Sequence, residues 1–125
     1  MTSMGIMAVH EFIEAFNLQD HKRLAASLNY PHARLANGKI VTVDSAAEFE
    51  SLSERGEARL KAEGWHHTEV SSFDVIHSTS DKEHISLKVA RFDEQGVAYN
   101  SFNTLWVATS NSGHWGIQFR SSFLS

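Results

Sequence analysis

Cysteine is absent from this chain, and proline occurs once, at Pro31. The first absence removes disulfides, thiolate metal sites and thiol nucleophiles together. The second leaves one point at which proline can interrupt a helix or strand. Positive charge is scarce and dispersed. Eleven Lys and Arg stand against fifteen Asp and Glu, a formal net charge of −4, and Lys22-Arg23 is the one adjacent basic pair. A nucleic-acid binder needs a basic face, so nucleic acid is not expected as a partner. No apolar run approaches the ~20 residues of a membrane span. The opening Met1 to Met7 has no basic stretch ahead of an apolar core, so no signal peptide is expected. The expectation is a soluble, cytoplasmic protein with no membrane partner.

A length of 125 residues allows one domain, expected to span 1–125, with no second core. A domain of this size buries roughly two-thirds of the surface its unfolded chain exposes. Aromatic residues are plentiful: three Trp and eight Phe exceed what a single small core and a pocket need. A homodimer formed through a sheet is therefore expected, because large exposed apolar patches mark interfaces. Eight histidines invite a metal, but their spacing contains no His-x3-His and no His-x-His. His66 and His67, adjacent in an expected strand, point to opposite faces. His10 and Glu14 share a helix face and supply half a site at most. No metal and no cofactor are expected.

Helical spacing runs from about Met4 to Asn17, with Ile6, Val9, Ile13 and Phe16 on one side, beside Phe12 and Met7. Asp20 is an N-cap for a shorter second helix whose buried face is Leu24, Ala25 and Leu28. Tyr30-Pro31 ends it. Two extended pieces follow, His32–Ala36 and Lys39–Val43, joined by Asn37-Gly38, a strong hairpin signal. Ser45 to Glu48 forms a capping box that opens a third helix, with Phe49, Leu52 and Leu60 as its buried side and Gly64 at its end. From Trp65 onward the chain reads as four strands. Polar turns at Ser78–Lys82, Asp93–Gly96 and Ser110–Gly113 separate runs rich in Val, Ile, Phe, Tyr and Thr. Helices followed by a curled antiparallel sheet define an α+β domain, with the helices covering one sheet face.

The order α-α-β-β-α-β-β-β-β resembles the nuclear-transport-factor-2-like (NTF2-like), or SnoaL-like, superfamily over nearly the whole chain. Its local carriers are Phe12 to Asp20 in the first helical pair, Tyr30-Pro31-His32 at the entry to the first strand, and Gly113 to Ile117 opening the last. The resemblance implies a cone: a curved antiparallel sheet wrapped around N-terminal helices, with an apolar pocket at its wide end. Members include ketosteroid isomerase, scytalone dehydratase, limonene epoxide hydrolase, polyketide cyclases and plain binding modules, so fold does not decide function. Ketosteroid isomerase works with an Asp base and an oxyanion hole of Tyr and protonated Asp. Here Pro31 to Val43 contains no acid, and Phe12 stands where the Tyr would be. Arg91-Phe92-Asp93 is similar to the epoxide-hydrolase pair. Nothing after Glu94 is acidic, however, so a second carboxylate on the last strands is missing. Arg91 and Asp93 are more simply a strand-end ion pair.

Scytalone dehydratase uses His and Tyr as acid and base, and His32 is the matching candidate. It shares a strand face with Arg34, and that face looks either into the cone, where the cation lowers the imidazole pKa, or to water if the strand lies at the sheet edge. On the later strands Asn100, Phe102, Thr104 and Trp106 share one face, and Tyr99, Ser101, Asn103 and Leu105 the other. Trp115, Ile117, Phe119 and Phe123 form an apolar stripe opposite Gln118 and Arg120, suited to core or dimer interface. The expected function is binding of an apolar or aromatic small molecule by Phe12, Phe16, Arg34, Trp106 and Arg120. If the protein is an enzyme, the expected chemistry is acid–base work on a carbonyl (isomerase, cyclase or dehydratase type) with His32 as catalytic base. The alternative is a non-catalytic ligand-binding or dimerisation module, which the missing carboxylates favour.

Overall fold

The computed structural model of the protein describes residues 3–124. Met1 and Thr2, which begin the stretch expected to carry no leader, lie outside the described residues. Helix α1 spans Met4–Leu18 and α2 His21–Ala26; strands β1 (Leu28–Ala36) and β2 (Lys39–Val43) follow. Helix α3 covers Ala46–Ala62, and the chain ends in β3 (His67–Ser78), β4 (Lys82–Phe92), β5 (Ala98–Asn111) and β6 (His114–Ser122). The element order is the expected one. The six strands form one curved, unclosed sheet in the order β2-β1-β6-β5-β4-β3. All neighbours are antiparallel except β1 and β6, so the sheet is mixed rather than wholly antiparallel. No helix among the described residues is long and apolar enough to cross a membrane.

Local chemistry sets the helix ends. The Ser3 side chain accepts from the Ile6 amide, Asp20 from the Arg23 amide, and Ser45 from the Glu48 amide, each satisfying an otherwise orphan first-turn donor. A second acceptor reaches α1 from the sheet: buried Glu83 takes the Gly5 amide at 2.8 Å, a carboxylate at the positive end of the helix. Ile6, Val9, Phe12 and Ala15 of α1 pack against Ile85, Leu87 and Val89 of β4, Trp106 and Ala108 of β5, and Ile117 of β6. These inward side chains alternate with outward ones, as the pleat requires.

Several expectations change. Leu28 is buried but opens β1 instead of closing α2, and the Tyr30-Pro31 peptide is cis and lies inside the strand. Gly116 explains the early strand start. A Cβ there would fall 2.7 Å from the Leu28 carbonyl carbon, so only glycine lets β6 approach β1 this closely. Asn29 then ties the same corner. Its amide nitrogen donates to the carbonyls of Thr109 (2.8 Å) and His114 (3.0 Å). Helix α3 has no fully buried residue; Phe49, Leu52 and Leu60 are half-buried, and His21 anchors the helix through Ser53 and Glu57, each at 2.7 Å. The expected stripe on β6 is split. A bulge places Ile117 opposite Ala108 and Phe119 opposite Val107. Ile117 therefore faces the core, while Phe119 turns to the outer face and Phe123 is 77 % exposed.

Candidate functional site

One row across the inner face assembles the site. Ile85, Trp106, Arg120, Arg34 and Val41 are successive register partners on β4, β5, β6, β1 and β2. Because register partners share a face, the two arginines stand side by side on the concave side, next to the Trp106 ring. Helix α1 lays Phe12 and Phe16 over them. The two phenyl rings stack at 6.2 Å, and Phe12 meets Trp106 edge-on at 4.7 Å. The Arg120 guanidinium lies 4.9 Å from the Phe12 ring centre and 5.9 Å from that of Trp106, within cation–π range.

Between these groups is a cavity of about 40 Å³. Phe12, Phe16, Phe102 and Trp106 are its aromatic walls, Ile13 and Val89 its aliphatic ones. Its polar lining is Arg34, Arg91, Arg120, Thr68 and Ser122. Phe12, Thr68, Val89 and Trp106 are its buried floor, and the other lining residues, Phe16, Phe102, Arg34 and Arg120 among them, are half-buried and form its open rim. The sequence-derived candidates Phe12, Phe16, Arg34, Trp106 and Arg120 thus meet around one cavity.

His32 stands behind that wall rather than in it, and is 1 % exposed. Its Nδ1 is 3.0 Å from the Ile117 carbonyl oxygen, and its Nε2 is 3.2 Å from Arg120 Nε. A carbonyl only accepts and an arginine Nε–H only donates, so the ring is neutral with its proton on Nδ1. Burial pushes its pKa down to about 3, helped by the Arg120 and Arg34 charges and opposed by the Ile117 hydrogen bond. Phe49 of α3 closes its other side, ring to ring at 6.1 Å. The imidazole lone pair is occupied by Arg120 and is not directed at the cavity.

Arg91, expected to pair with Asp93, instead donates to Glu63 beyond α3 at 2.9 Å, an oxygen that also accepts from the Tyr99 hydroxyl at 2.6 Å. Asp93 is occupied in its own turn, accepting from the Gln95 and Val97 amides. Tyr99 reaches Glu63 because it sits in a β5 bulge between the residues paired with Arg91 and Phe92. Burial and the Glu63 carboxylate raise the Tyr99 pKa. Thr68 is fixed by Asn17, which exchanges two 2.8 Å hydrogen bonds with its backbone. Arg91, Phe102 and Thr68 were not singled out as ligand contacts from the sequence. The Phe102–Trp106 alternation was the available signal for Phe102.

The histidines meet only in pairs among the described residues, His66 with His67 and His77 with His84, whose rings lie 6.1 Å apart across β3 and β4. His66 lies just before β3 and its Nδ1 is 2.9 Å from that of His67, so the two do not point to opposite faces. His10 packs edge-on against Phe73. No group of three or more metal-ligating side chains occurs among the described residues.

Helices over a curved mixed sheet, with a cavity between α1 and the sheet, define an NTF2-like domain of cystatin-like fold. A family model described as NTF2-like protein (DUF6841) matches residues 7–119, and the chain belongs to that family. Solved structures show the same fold. An NTF2-like protein from Novosphingobium aromaticivorans superposes with a TM-score of 0.75 at 14 % identity, covering 94 % of this chain and 77 % of that one. One from Cytophaga hutchinsonii gives 0.74 at 15 % identity, with all of both chains covered. Aln2 from a Streptomyces species gives 0.72 at 12 % identity, covering 95 % of this chain and 86 % of that one. No curated protein matches the chain.

Proposed function

We propose that the protein is a small-molecule-binding module that takes an apolar or aromatic ligand in the cavity beneath α1, without proton transfer by His32. The observation that carries this reading is the cavity itself, open on one side and walled by Phe12, Phe16, Phe102 and Trp106. Mostly apolar walls with a few converging polar groups are the usual make-up of a ligand site. Acid–base chemistry on a carbonyl is the competing reading. It requires an imidazole lone pair directed at the ligand, and that lone pair accepts from Arg120. His32 is on this account a positioning residue for the Arg120 guanidinium.

Methyl NMR spectra during titration with a panel of single-ring compounds test the proposal. Ile13 and Val89 resonances are expected to shift together, and those of outward-facing Val107 to stay in place. Shifts confined to the outer face of the sheet would overturn it.

A further inference from the structure

We infer that the ligand is an anion, a small aromatic carboxylate whose charged head lies between Arg34 and Arg120 and whose ring lies against Phe16 and Phe102. This rests on the cavity being the binding site and adds the ligand's charge and shape to that reading.

Arg34 and Arg120 are direct register partners on β1 and β6. Like charges so placed repel, and a sheet normally avoids them. Nothing among the described residues compensates. The lining side chains include three arginines and no carboxylate. Among the described residues neither Arg34 nor Arg120 has an ion pair, whereas Arg23 pairs with Glu11 and Glu14, and Arg91 with Glu63. Neutral His32 satisfies one Arg120 donor without cancelling its charge.

Arg34 Nε is the one buried side-chain nitrogen or oxygen among the described residues that lacks a hydrogen-bond partner. Buried polar groups are ordinarily paired, so an orphan on a pocket-lining arginine calls for an acceptor from outside the chain. Burial and the neighbouring arginines lower the pKa of Arg120 to about 9. Arg34 is lowered for the same reasons, burial first, then Arg91 and Arg59. Both remain cations at neutral pH, held at a cost that a bound anion relieves.

A carboxylate suits the site better than a rounder oxyanion. Guanidinium forks match carboxylate and phosphate oxygens alike, so the choice rests on the aromatic walls, between which a carboxylate can carry a flat ring. A cavity of about 40 Å³ holds the head group, leaving the ring toward the open side at Phe16 and Phe102. Inorganic phosphate would meet the charge but leave the rings unused.

Calorimetric titration of the full chain with benzoate, benzamide, acetate and inorganic phosphate tests this, repeated on Arg34→Met. Benzoate is expected to bind about ten- to a hundredfold more tightly than its neutral isostere benzamide, the worth of a charge-assisted contact. Acetate and phosphate are expected to bind more weakly than benzoate, and Arg34→Met to erase the preference over benzamide. Equal affinity for benzoate and benzamide would overturn the anion while leaving the cavity as the ligand site. Phosphate binding more tightly than benzoate would overturn the carboxylate. Binding of none of the four would overturn both this inference and the functional reading beneath it. Should Arg34→Met not fold, the benzoate-to-benzamide ratio on the natural chain decides alone.

Discussion

His32 couples the site to pH. Its folded pKa of about 3 lies below the unfolded value near 6.5, so the unfolded chain binds more protons between those limits. Its contribution to stability is complete above about pH 6.5 and is lost as pH falls toward about 3. The total is on the order of 4–5 kcal/mol. Urea unfolding at a series of pH values is expected to show this loss, with a smaller slope in His32→Gln. A stability flat from pH 7 to 4 would contradict the neutral, buried ring. Trp106 is 4 % exposed and bonds Thr104 through its indole N–H at 3.1 Å. Trp106→Ala is expected to cost about 3–5 kcal/mol by thermal unfolding. Half-buried Trp115, placed from the sequence in the apolar stripe of the last strand, should cost less. The cavity residues on α1, β1 and β5 were readable because period-3.6 and period-2 alternation fixes which side chains share a face. Arg91 was not. Its partner Glu63 lies 28 positions away, while Asp93 stood nearer in sequence.

At the scale of elements, two glycines make opposite demands. A Cβ on Gly116 would strike the backbone of Leu28 and Asn29 at 2.7–2.9 Å, and backbone cannot move aside as a side chain can. Gly116→Ala is expected to destabilise by about 2–3 kcal/mol. Gly56 lies inside α3 and would meet only Arg59, at 3.7 Å. Gly56→Ala is expected to stabilise by about 0.5–1 kcal/mol, because it removes a helix-interior glycine. Paired denaturant melts check both; equal signs would contradict the packing described. Caps and tight turns were legible because Ser, Asp and Asn-Gly act through bonds within a few residues. The bulges at Tyr99 and beside Gln118 were not, since each depends on the partner strand. Those bulges redirect Tyr99 to Glu63 and split the β6 stripe. The half-buried state of α3 was hidden too, because its apolar spacing is that of a buried helix.

At the scale of the whole molecule, the outer face of the sheet carries Ala33, Leu35, Ile40, Leu105, Val107 and Phe119 on adjoining register rows. Leu35 is 40 % exposed and Ile40 64 %. Only Thr42 and Ser121 interrupt these rows, and since exposed apolar faces mark interfaces, a homodimer across this one is predicted. Sedimentation at micromolar concentration should give a dimer, and Leu105→Glu a monomer. A natural chain that sediments as a monomer would refute the prediction. Element order and fold class were legible because turns and periodicity are local. The parallel β1–β6 seam was not, because it joins the beginning of the sheet to its end through contacts such as Ile117 N–H to Ser27 O. That seam is also what sets Arg34 beside Arg120. Their charge could be read from the chain, but not the absence of a carboxylate between them.

The most direct test of an arginine-anchored ligand is the Nε–H resonance of Arg34, followed by ¹⁵N NMR while benzoate is added. No group among the described residues accepts from that donor. The account predicts a downfield, saturable shift of Arg34 Nε–H, with that of Arg23, already held by Glu11 at 2.6 Å, unmoved. A saturable benzoate interaction that leaves Arg34 Nε–H where it began would contradict it.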